Sequence, residues 1–307
     1  MGKAVTSLAG TMPFMLRLVV PKGSLEEQTL ALLEAADLPL RRASDRDYHG
    51  TVDDPRIDRV SILRPQEIPR YVEEGFFDLG ITGRDWVEET EADVEILSEL
   101  AYSGSFRGGG SVRIVLAVPG DSPIDRADQL PADSKISTEY PTITRVAFEK
   151  LGIPVRIFTS YGATEAKVPE IVDAIVELTE TGSTLRRHGM KIVETLLESQ
   201  TVLIANRASA ADAGKRQAMG DIDTLLQGSL AAKGKVLVKL NVTEADLDRV
   251  LEILPAMKSP TISRLSAEHD FAVETVVEKT RINTLIPQLK ERGATDIIEL
   301  PISKIVP

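Results

Sequence analysis

In the stretch DAIVELTETGST (Asp173–Thr184), Thr179, Thr181, Gly182, Ser183 and Thr184 crowd together behind an apolar, β-prone run, IVDAIV. Small side chains let backbone N–H groups approach an anion closely, and the hydroxyls add further donors. A strand end that leads into a helix start also offers the positive end of the helix dipole. Such a turn suits a phosphate group. Three carboxylates in the same stretch, Asp173, Glu177 and Glu180, would repel a bare phosphate. They fit a ligand that also carries sugar hydroxyls, which carboxylates accept from, or one whose phosphates hold Mg²⁺. A polar turn with helix caps and no ligand would use many of the same residues.

The elements around this turn alternate. MLRLVV reads as a buried strand, followed by the turn PKGS and a helix with leucines at helical spacing, LEEQTLALLEAA. Strands RVSILR, FDLGIT and DVEILSEL follow, with a short proline-started helix, PQEIPRYVEEG, between the first two. After a glycine-rich stretch, SGSFRGGGS, come VRIVLAV, KIST, the helix TITRVAFEKLG, VRIFTS and IVDAIV, and later MKIVETL, TVLIANR and a long helical run. This alternation predicts parallel α/β sheets. From Lys235 the pattern becomes strand, helix, two strands, helix, strand, with Thr243 as an N-cap candidate. Lys233-Gly234 is the expected hinge before it.

Composition narrows the function classes. The chain has 307 residues, enough for two or three domains, with 42% apolar and 27% charged residues. A net charge of −11 gives no general attraction for nucleic acid or an anionic membrane, so neither is an expected partner. There is no cysteine, which removes thiolate nucleophiles and zinc-thiolate sites and fits a reducing cytoplasm. No run approaches the ~18 apolar residues of a membrane span. The first fourteen residues, MGKAVTSLAGTMPF, lack a continuous apolar region and read as a flexible extension rather than a leader. His49, His188 and His269 are far apart and lack metal-ligand spacing.

Several separated motifs together resemble the ATP phosphoribosyltransferases, the family that opens histidine biosynthesis. PKGSL (Pro21–Leu25) is similar to that family's first strand-to-helix turn, and LRPQEIPRYVEEGFFDLGITGRDW (Leu63–Trp86) to its arginine-bearing strand and the loop beyond it. STEYP (Ser137–Pro141) resembles its interdomain turn, and GATEAKVPEIVDAIVELTETGSTL (Gly162–Leu185) its signature, including the loop for 5-phosphoribosyl diphosphate. The likeness runs from about Met15 to the C-terminus, and the tail matches the long form with its own regulatory domain.

The resemblance implies an α/β fold of two lobes facing a cleft, akin to periplasmic binding proteins, plus a C-terminal βαββαβ domain of ferredoxin or ACT type. The implied divisions are residues 15–106 with 204–230 for a discontinuous first lobe, 107–203 for the second, and 231–307 for the regulatory domain. The chain would cross near Ser103–Gly110 and return near Gln200–Arg207. The implied reaction joins ATP, through adenine N1, to phosphoribosyl diphosphate with release of pyrophosphate. The protein must align the reactants and stabilise the leaving group; it needs no covalent nucleophile.

On that reading, Thr181, Gly182, Ser183 and Thr184 hold the 5-phosphate, with Thr179 and Glu180 beside them. Asp173 is the choice for the ribose hydroxyls, and Glu177 either joins it or faces solvent. Mg²⁺ rides on the pyrophosphate, with no dedicated protein cage. Lys22, next to Gly23, and Arg64, at the end of an apolar strand, are the catalytic cations expected near triphosphate or pyrophosphate. For ATP the further candidates are Gly23, Asp85, Glu139, Tyr140 and Glu165. Tyr140 lies against a base or ribose, or packs half-buried; Glu165 and Asp85 bind substrate or cap helices. His188 stands where the family often has asparagine. In the tail, the resemblance implies feedback inhibition by L-histidine, with Asn241, Met257, Thr261, Val276 and Asp296 as the pocket, and a homo-oligomer, dimer to hexamer. The rival is a two-lobed small-molecule binding protein without catalysis, which would share the fold.

Overall fold

The computed structural model describes residues 15–44, 46–102, 111–255, 259–266 and 269–306. The glycine-rich crossover, the first fourteen residues and Met257 lie outside the described residues.

The chain opens with β1 (Leu16–Pro21), whose apolar residues are almost wholly buried, then α1 (Glu26–Ala35). Next come β2 (His49–Gly50), β3 (Ile57–Leu63), α2 (Ile68–Glu73), β4 (Leu79–Gly83), α3 (Arg84–Thr90) and β5 (Val94–Leu100). Pro69 sits in the first turn of α2, where its missing N–H costs nothing, and Gly75, at φ +77°, lets the chain turn out behind it.

A second set follows: β6 (Val112–Pro119), β7 (Ser134–Thr138), α4 (Pro141–Leu151), β8 (Val155–Thr159), a 3₁₀ turn (Thr164–Lys167), β9 (Ala174–Thr179), α5 (Ser183–Arg187) and β10 (Met190–Ser199). Then β11 (Thr201–Asn206) returns to the first sheet, followed by α6 (Arg207–Ala211) and α7 (Ala213–Ala232). The first sheet has the order β2-β3-β1-β4-β11-β5, the second β10-β6-β9-β7-β8. Each lobe therefore has its own sheet, and the first takes its strands from two stretches of chain. β11, from Thr201, is the strand by which the chain re-enters the first sheet.

The sheets are mixed rather than parallel. β1 pairs with β3 and β4, and β7 with β8 and β9, in parallel. β11 runs antiparallel to β4 and β5, and β6 antiparallel to β9 and β10. The helix-linked strands are the parallel ones, because such a crossover returns the chain to the same end of the sheet. The first strand after each lobe crossing, β6 or β11, runs opposite to them, and the last strand before it, β5 or β10, runs the same way.

The cores are aliphatic. One face of the second sheet packs Ile114, Leu116, Ile136, Ala174 and Val176 against Phe148 and Ile143 of α4. The other packs Val115, Ala117 and Ile175 against Leu185 and Met190. In the first sheet, Val19, Val202 and Ile204 meet Ile68 and Val72 of α2. Asp78, with 0% exposure, ties this lobe together. It accepts from the Arg17 backbone N–H at 2.8 Å, the Lys215 ammonium at 2.7 Å and the Ser209 hydroxyl at 2.6 Å.

Contacts divide the chain into one compact unit through Asp223 and another from Thr224. The second unit holds β12 (Lys235–Thr243), α8 (Leu247–Leu251), β13 (Thr261–Arg264), β14 (Asp270–Glu278), α9 (Lys279–Glu291) and β15 (Thr295–Pro301), the expected βαββαβ order. Its sheet, β13-β14-β12-β15, is antiparallel throughout, a ferredoxin-like arrangement. Val236, Val238, Leu240, Val242, Val273 and Val277 face the helices. Thr243 ends β12 rather than capping the next helix: α8 starts later, after Asp246, which accepts from the Thr243 hydroxyl at 3.3 Å.

Candidate active site

Strand β9 starts and ends three residues later than its apolar run suggests. It pairs with β7 only through Val176, but β6 continues the ladder, placing Glu177 opposite Val115 and Thr179 opposite Arg113. Side chains alternate along a strand, so Glu177 and Thr179 share a face, and the turn proper is Glu180-Thr181-Gly182. Gly182 adopts φ +71°, the left-handed conformation that glycine enters without strain. Its N–H donates to the Thr179 hydroxyl at 2.8 Å. The Thr181 hydroxyl donates to Ser183 Oγ at 3.1 Å, and Arg186 donates to the Thr181 carbonyl at 3.0 Å. The result is a tightly wound loop with exposed hydroxyls at the C-terminal end of β9.

This loop lines a cleft of about 540 Å³ between the two lobes, within the usual range for a small-molecule site. Ser24, Pro65, Gly83 and Asp85 come from the first lobe; Glu139, Glu165, Glu177, Thr179, Glu180, Thr181, Ser183 and Thr184 come from the second. The crossing segment Ser199-Gln200-Thr201 closes the floor.

Asp173 is not brought to this cleft. It precedes β9, six residues before Thr179, which is about 20 Å along a strand. Its side chain accepts the Lys135 N–H at 2.7 Å, at the start of β7. Glu177 is the carboxylate of the signature that reaches the cleft. Burial pushes its pKa up, against the hydrogen bond from the Leu178 N–H, and the neighbouring Glu139 and Glu165 add to the rise.

Asp85 and Tyr140 do not face substrate space freely. α3 begins at Arg84 with Gly83 at its N-cap, so Asp85 sits inside the first turn rather than capping it. Asp85 is 2% exposed and accepts from Ser199 Oγ at 2.7 Å and Tyr140 Oη at 3.2 Å. Burial raises the pKa of both groups, and for Tyr140 the Asp85 charge raises it further. Tyr140 also stacks on Trp86, ring centroids 4.7 Å apart. One helical turn on from Asp85, Glu89 accepts the N–H groups of Thr142 and Ile143 at the start of α4. Asp85 and Trp86, in the cleft wall, and Glu89, outside it, thus join the two lobes.

Lys22 and Arg64 directly follow β1 and β3, and neither lines the cleft itself. Lys22 lies over the Tyr48 ring at 4.2 Å, and a Cβ on Gly23 would come within 3.5 Å of the Arg64 guanidinium. The residues after them, Ser24 and Pro65, line the cleft. Glu165 lines it too, and His188 comes within 3.7 Å of it, linking the signature loop to α5.

Sequence reasoning passed over Trp86, Glu89, Thr164, Lys167 and Ser199. Trp86 is the sole tryptophan, beside Asp85, and is the one signal that could have been followed. The others gain meaning only through partners distant in sequence.

In the second unit, Asn241, Thr261 and Val276 lie on the sheet face opposite the helices, by their register with Ala272, Glu274 and Leu237. Asn241 Nδ2 donates to Asp296 at 3.0 Å, joining β12 to β15.

The family model described as ATP phosphoribosyltransferase matches residues 64–228, and the HisG C-terminal domain model matches residues 232–304. An ATP phosphoribosyltransferase of Koribacter versatilis (strain Ellin345) is 46% identical over 95% of this chain and 99% of its own length. One of Desulforudis audaxviator (strain MP104C) is 45% identical at the same coverage. Among solved structures, a chain of the ATP phosphoribosyl transferase (HisG:HisZ) complex from Thermotoga maritima aligns with TM-score 0.59 and 27% identity, over 69% of this chain and 97% of that one. With the cleft and the C-terminal unit both matched, and relatives nearly half identical from end to end, the chain belongs to the ATP phosphoribosyltransferase family in its long form.

Proposed function

We infer that the cleft is where this ATP phosphoribosyltransferase, the enzyme of the first step of histidine biosynthesis, joins its two substrates. Adenine N1 attacks ribose C1 of phosphoribosyl diphosphate; the C1–O bond breaks and its electron pair leaves with pyrophosphate. The observation that carries the assignment is the left-handed turn at Gly182 and the half-buried Glu177 opening into one cavity. The amides and hydroxyls of Thr181, Gly182, Ser183 and Thr184 hold the 5-phosphate, and Glu177 takes the ribose-hydroxyl role that the sequence suggested for Asp173. Lys22 and Arg64, next to the cleft-lining segments of the first lobe, supply positive charge for triphosphate or pyrophosphate.

Positioning is the main task of such a site, since C1 becomes oxocarbenium-like while charge builds on the leaving group. Asp85, Trp86 and Tyr140 set the distance between the lobes, and Glu139 and Glu165 line the ATP side. Those acids, with Glu177, are hard oxygen donors of the kind Mg²⁺ accepts beside diphosphate oxygens, so the residues present fit the ion. When bound, Mg²⁺ neutralises charge on the departing pyrophosphate.

The C-terminal unit is the proposed seat of histidine inhibition, with Asn241 and Asp296 as polar anchors and Thr261 and Val276 on the same sheet. Leu237, Ile298 and Leu300 share that sheet face and suit contact with a second copy of the chain, in keeping with a homo-oligomer. No helix among the described residues is long and apolar enough to cross a membrane. A cysteine-free chain that consumes ATP fits a cytoplasmic enzyme.

The test is an ultraviolet assay of N1-adduct formation from ATP and phosphoribosyl diphosphate, with and without histidine. Product formation that disappears in Gly182→Asp and Glu177→Ala supports the assignment. Full turnover in both variants would overturn it. Loss of histidine sensitivity in Asp296→Ala, with turnover intact, supports the second unit's role.

A further inference from the structure

Three strand ends meet beside the cleft. In the first sheet β3 lies between β2 and β1. The Lys22 N–H donates to the Leu63 carbonyl at 2.7 Å, which carries the β1–β3 ladder one step past Pro21. On the other side of β3, the Ile62 N–H donates to the Tyr48 carbonyl at 2.9 Å, one step beyond the pair His49 and Ser61. Tyr48 and Lys22 therefore flank the C-terminal end of β3, two strand spacings or about 10 Å apart along the sheet. A tyrosine ring and a lysine stem span that gap, and the Lys22 ammonium lies 4.2 Å from the centre of the Tyr48 ring. Arg64 follows directly on β3, and a Cβ on Gly23 would stand 3.5 Å from its guanidinium.

Lys22 is half-buried, yet among the described residues no carboxylate pairs with it or with Arg64. Glu26, the acid of the same turn, is engaged elsewhere: it accepts from Arg42 at 2.9 Å and from the Gly23 N–H at 3.3 Å. The Tyr48 ring stands where a counter-ion would. The two differ in what they leave behind. A carboxylate cancels the charge of an ammonium, whereas an aromatic face attracts it through a quadrupole and leaves the full positive charge for a third group. Tyr48 is 56% exposed, so its ring adds little to the core, and its hydroxyl has no hydrogen-bond partner among the described residues. Its backbone is held on both sides, by the Ile62 bond and by the turn in which Asp47 accepts from the Ser44 N–H at 2.8 Å.

We propose that Tyr48 is a positioning residue: its ring holds the Lys22 ammonium beside Arg64, with its charge uncancelled, for a polyphosphate chain. The proposal rests on the assignment of Lys22 to phosphate. Ser24 and Pro65, just after the two cations in sequence, line the cleft, so a chain of phosphates that leaves the cleft past them meets both. Two substrate groups share this chemistry, the triphosphate of ATP and the pyrophosphate of the phosphoribosyl donor.

The experiment uses the full chain carrying Tyr48→Leu, Tyr48→Phe, Tyr48→Trp or Lys22→Met, and the Lys22→Met/Tyr48→Leu double variant. Steady-state kinetics give KM for each substrate and the inhibition constant of inorganic pyrophosphate. Tyr48→Leu, which keeps an apolar side chain but no aromatic face, is expected to raise the constants of the groups that Lys22 meets about two- to fivefold. A rise in KM for ATP without the pyrophosphate constant assigns the triphosphate to Lys22. A rise in the pyrophosphate constant together with donor KM assigns the donor's leaving group to it. Tyr48→Phe and Tyr48→Trp restore the wild-type values, because both keep a ring face and neither keeps the hydroxyl. In the Lys22→Met background, Tyr48→Leu adds nothing further. Unchanged or lowered constants throughout in Tyr48→Leu overturn the proposal. So do Tyr48→Phe and Tyr48→Trp constants that match those of Tyr48→Leu, or an undiminished Tyr48→Leu effect when Lys22 is already Met. Circular dichroism checks folding; should Tyr48→Leu not fold, Tyr48→Gln decides. If Lys22→Met leaves all three constants unchanged, the assignment of Lys22 has failed; if only Tyr48→Leu is silent, the part given to the ring alone has.

Discussion

The Glu89 carboxylate receives the backbone N–H groups of Thr142 and Ile143 at 2.9 and 3.0 Å, so an acid on one lobe caps the first turn of the other lobe's helix. Helix starts leave such N–H groups without intrahelical partners, and a carboxylate suits both the donors and the dipole. The opening between the lobes is thus held by a contact outside the cleft. Glu89→Ala should lower stability by about 1–2 kcal/mol and raise KM for both substrates together. Glu89→Gln, which keeps one acceptor, should lose less. Urea denaturation and steady-state kinetics on the three proteins check the order.

Glu177 gives a pH dependence of known sign. Burial raises its pKa, so it protonates at higher pH than an exposed glutamate, whose value is about 4.3. Only the ionised form accepts two ribose hydroxyls. Affinity for phosphoribosyl diphosphate should therefore weaken as pH falls through that raised value, while affinity for ATP holds. Glu177→Gln should remove this acid limb and raise donor KM about tenfold or more. A pH series of donor KM reads both effects.

Gly182→Ala tests the turn. A Cβ there would come within 2.9 Å of Ile192 Cδ1 and 3.0 Å of the Arg186 guanidinium, at a φ that side chains resist. The backbone strain is about 1–2 kcal/mol, and relief would shift the Gly182 and Ser183 amides. Donor KM should rise about tenfold or more, with a smaller change for ATP. Isothermal titration with each substrate separates the two.

Asp173→Ala should leave turnover within about twofold and remove roughly 1 kcal/mol of stability through the lost bond to the Lys135 N–H. Strong loss of turnover, with folding intact, would return Asp173 to the site and displace Glu177 from it.

Asp78 carries the opposite sign to Glu177. Burial alone would raise its pKa, but hydrogen bonds from Arg17, Lys215 and Ser209 outweigh that and hold it well below the usual range. Its stabilising share is complete above the ordinary aspartate value of about 3.9 and is lost as pH falls through the depressed folded value. Asp78→Asn should cost about 2–4 kcal/mol at neutral pH, and the gap to the parent chain should narrow on acidification below about 4. Urea midpoints at several pH values check it.

Much of this was legible from the chain. The alternation of strands and helices, the βαββαβ tail and the phosphate-suited turn each depend on neighbours in sequence, and short-range patterns record them. Asp173 and Glu177 show the limit. Both belong to one acidic motif, and only the ladder that β6 extends past Val176 decides which acid reaches the cleft. Asp85 reads as a helix cap until Ser199 and Tyr140, each more than fifty residues away, turn out to be its partners. The parallel sheets were over-generalised because a pattern of elements does not say which strands are joined across a lobe crossing.

The insertion of β11 between β4 and β5 has a consequence for the nascent chain. When β5 leaves the ribosome its slot beside β4 must stay vacant, because the strand that fills it is about a hundred residues from being made. The second lobe, contiguous from Val112 to Ser199, can complete its own sheet in that interval. Synthesis order therefore makes the second lobe the first to finish, and the half that begins the sequence the one that waits.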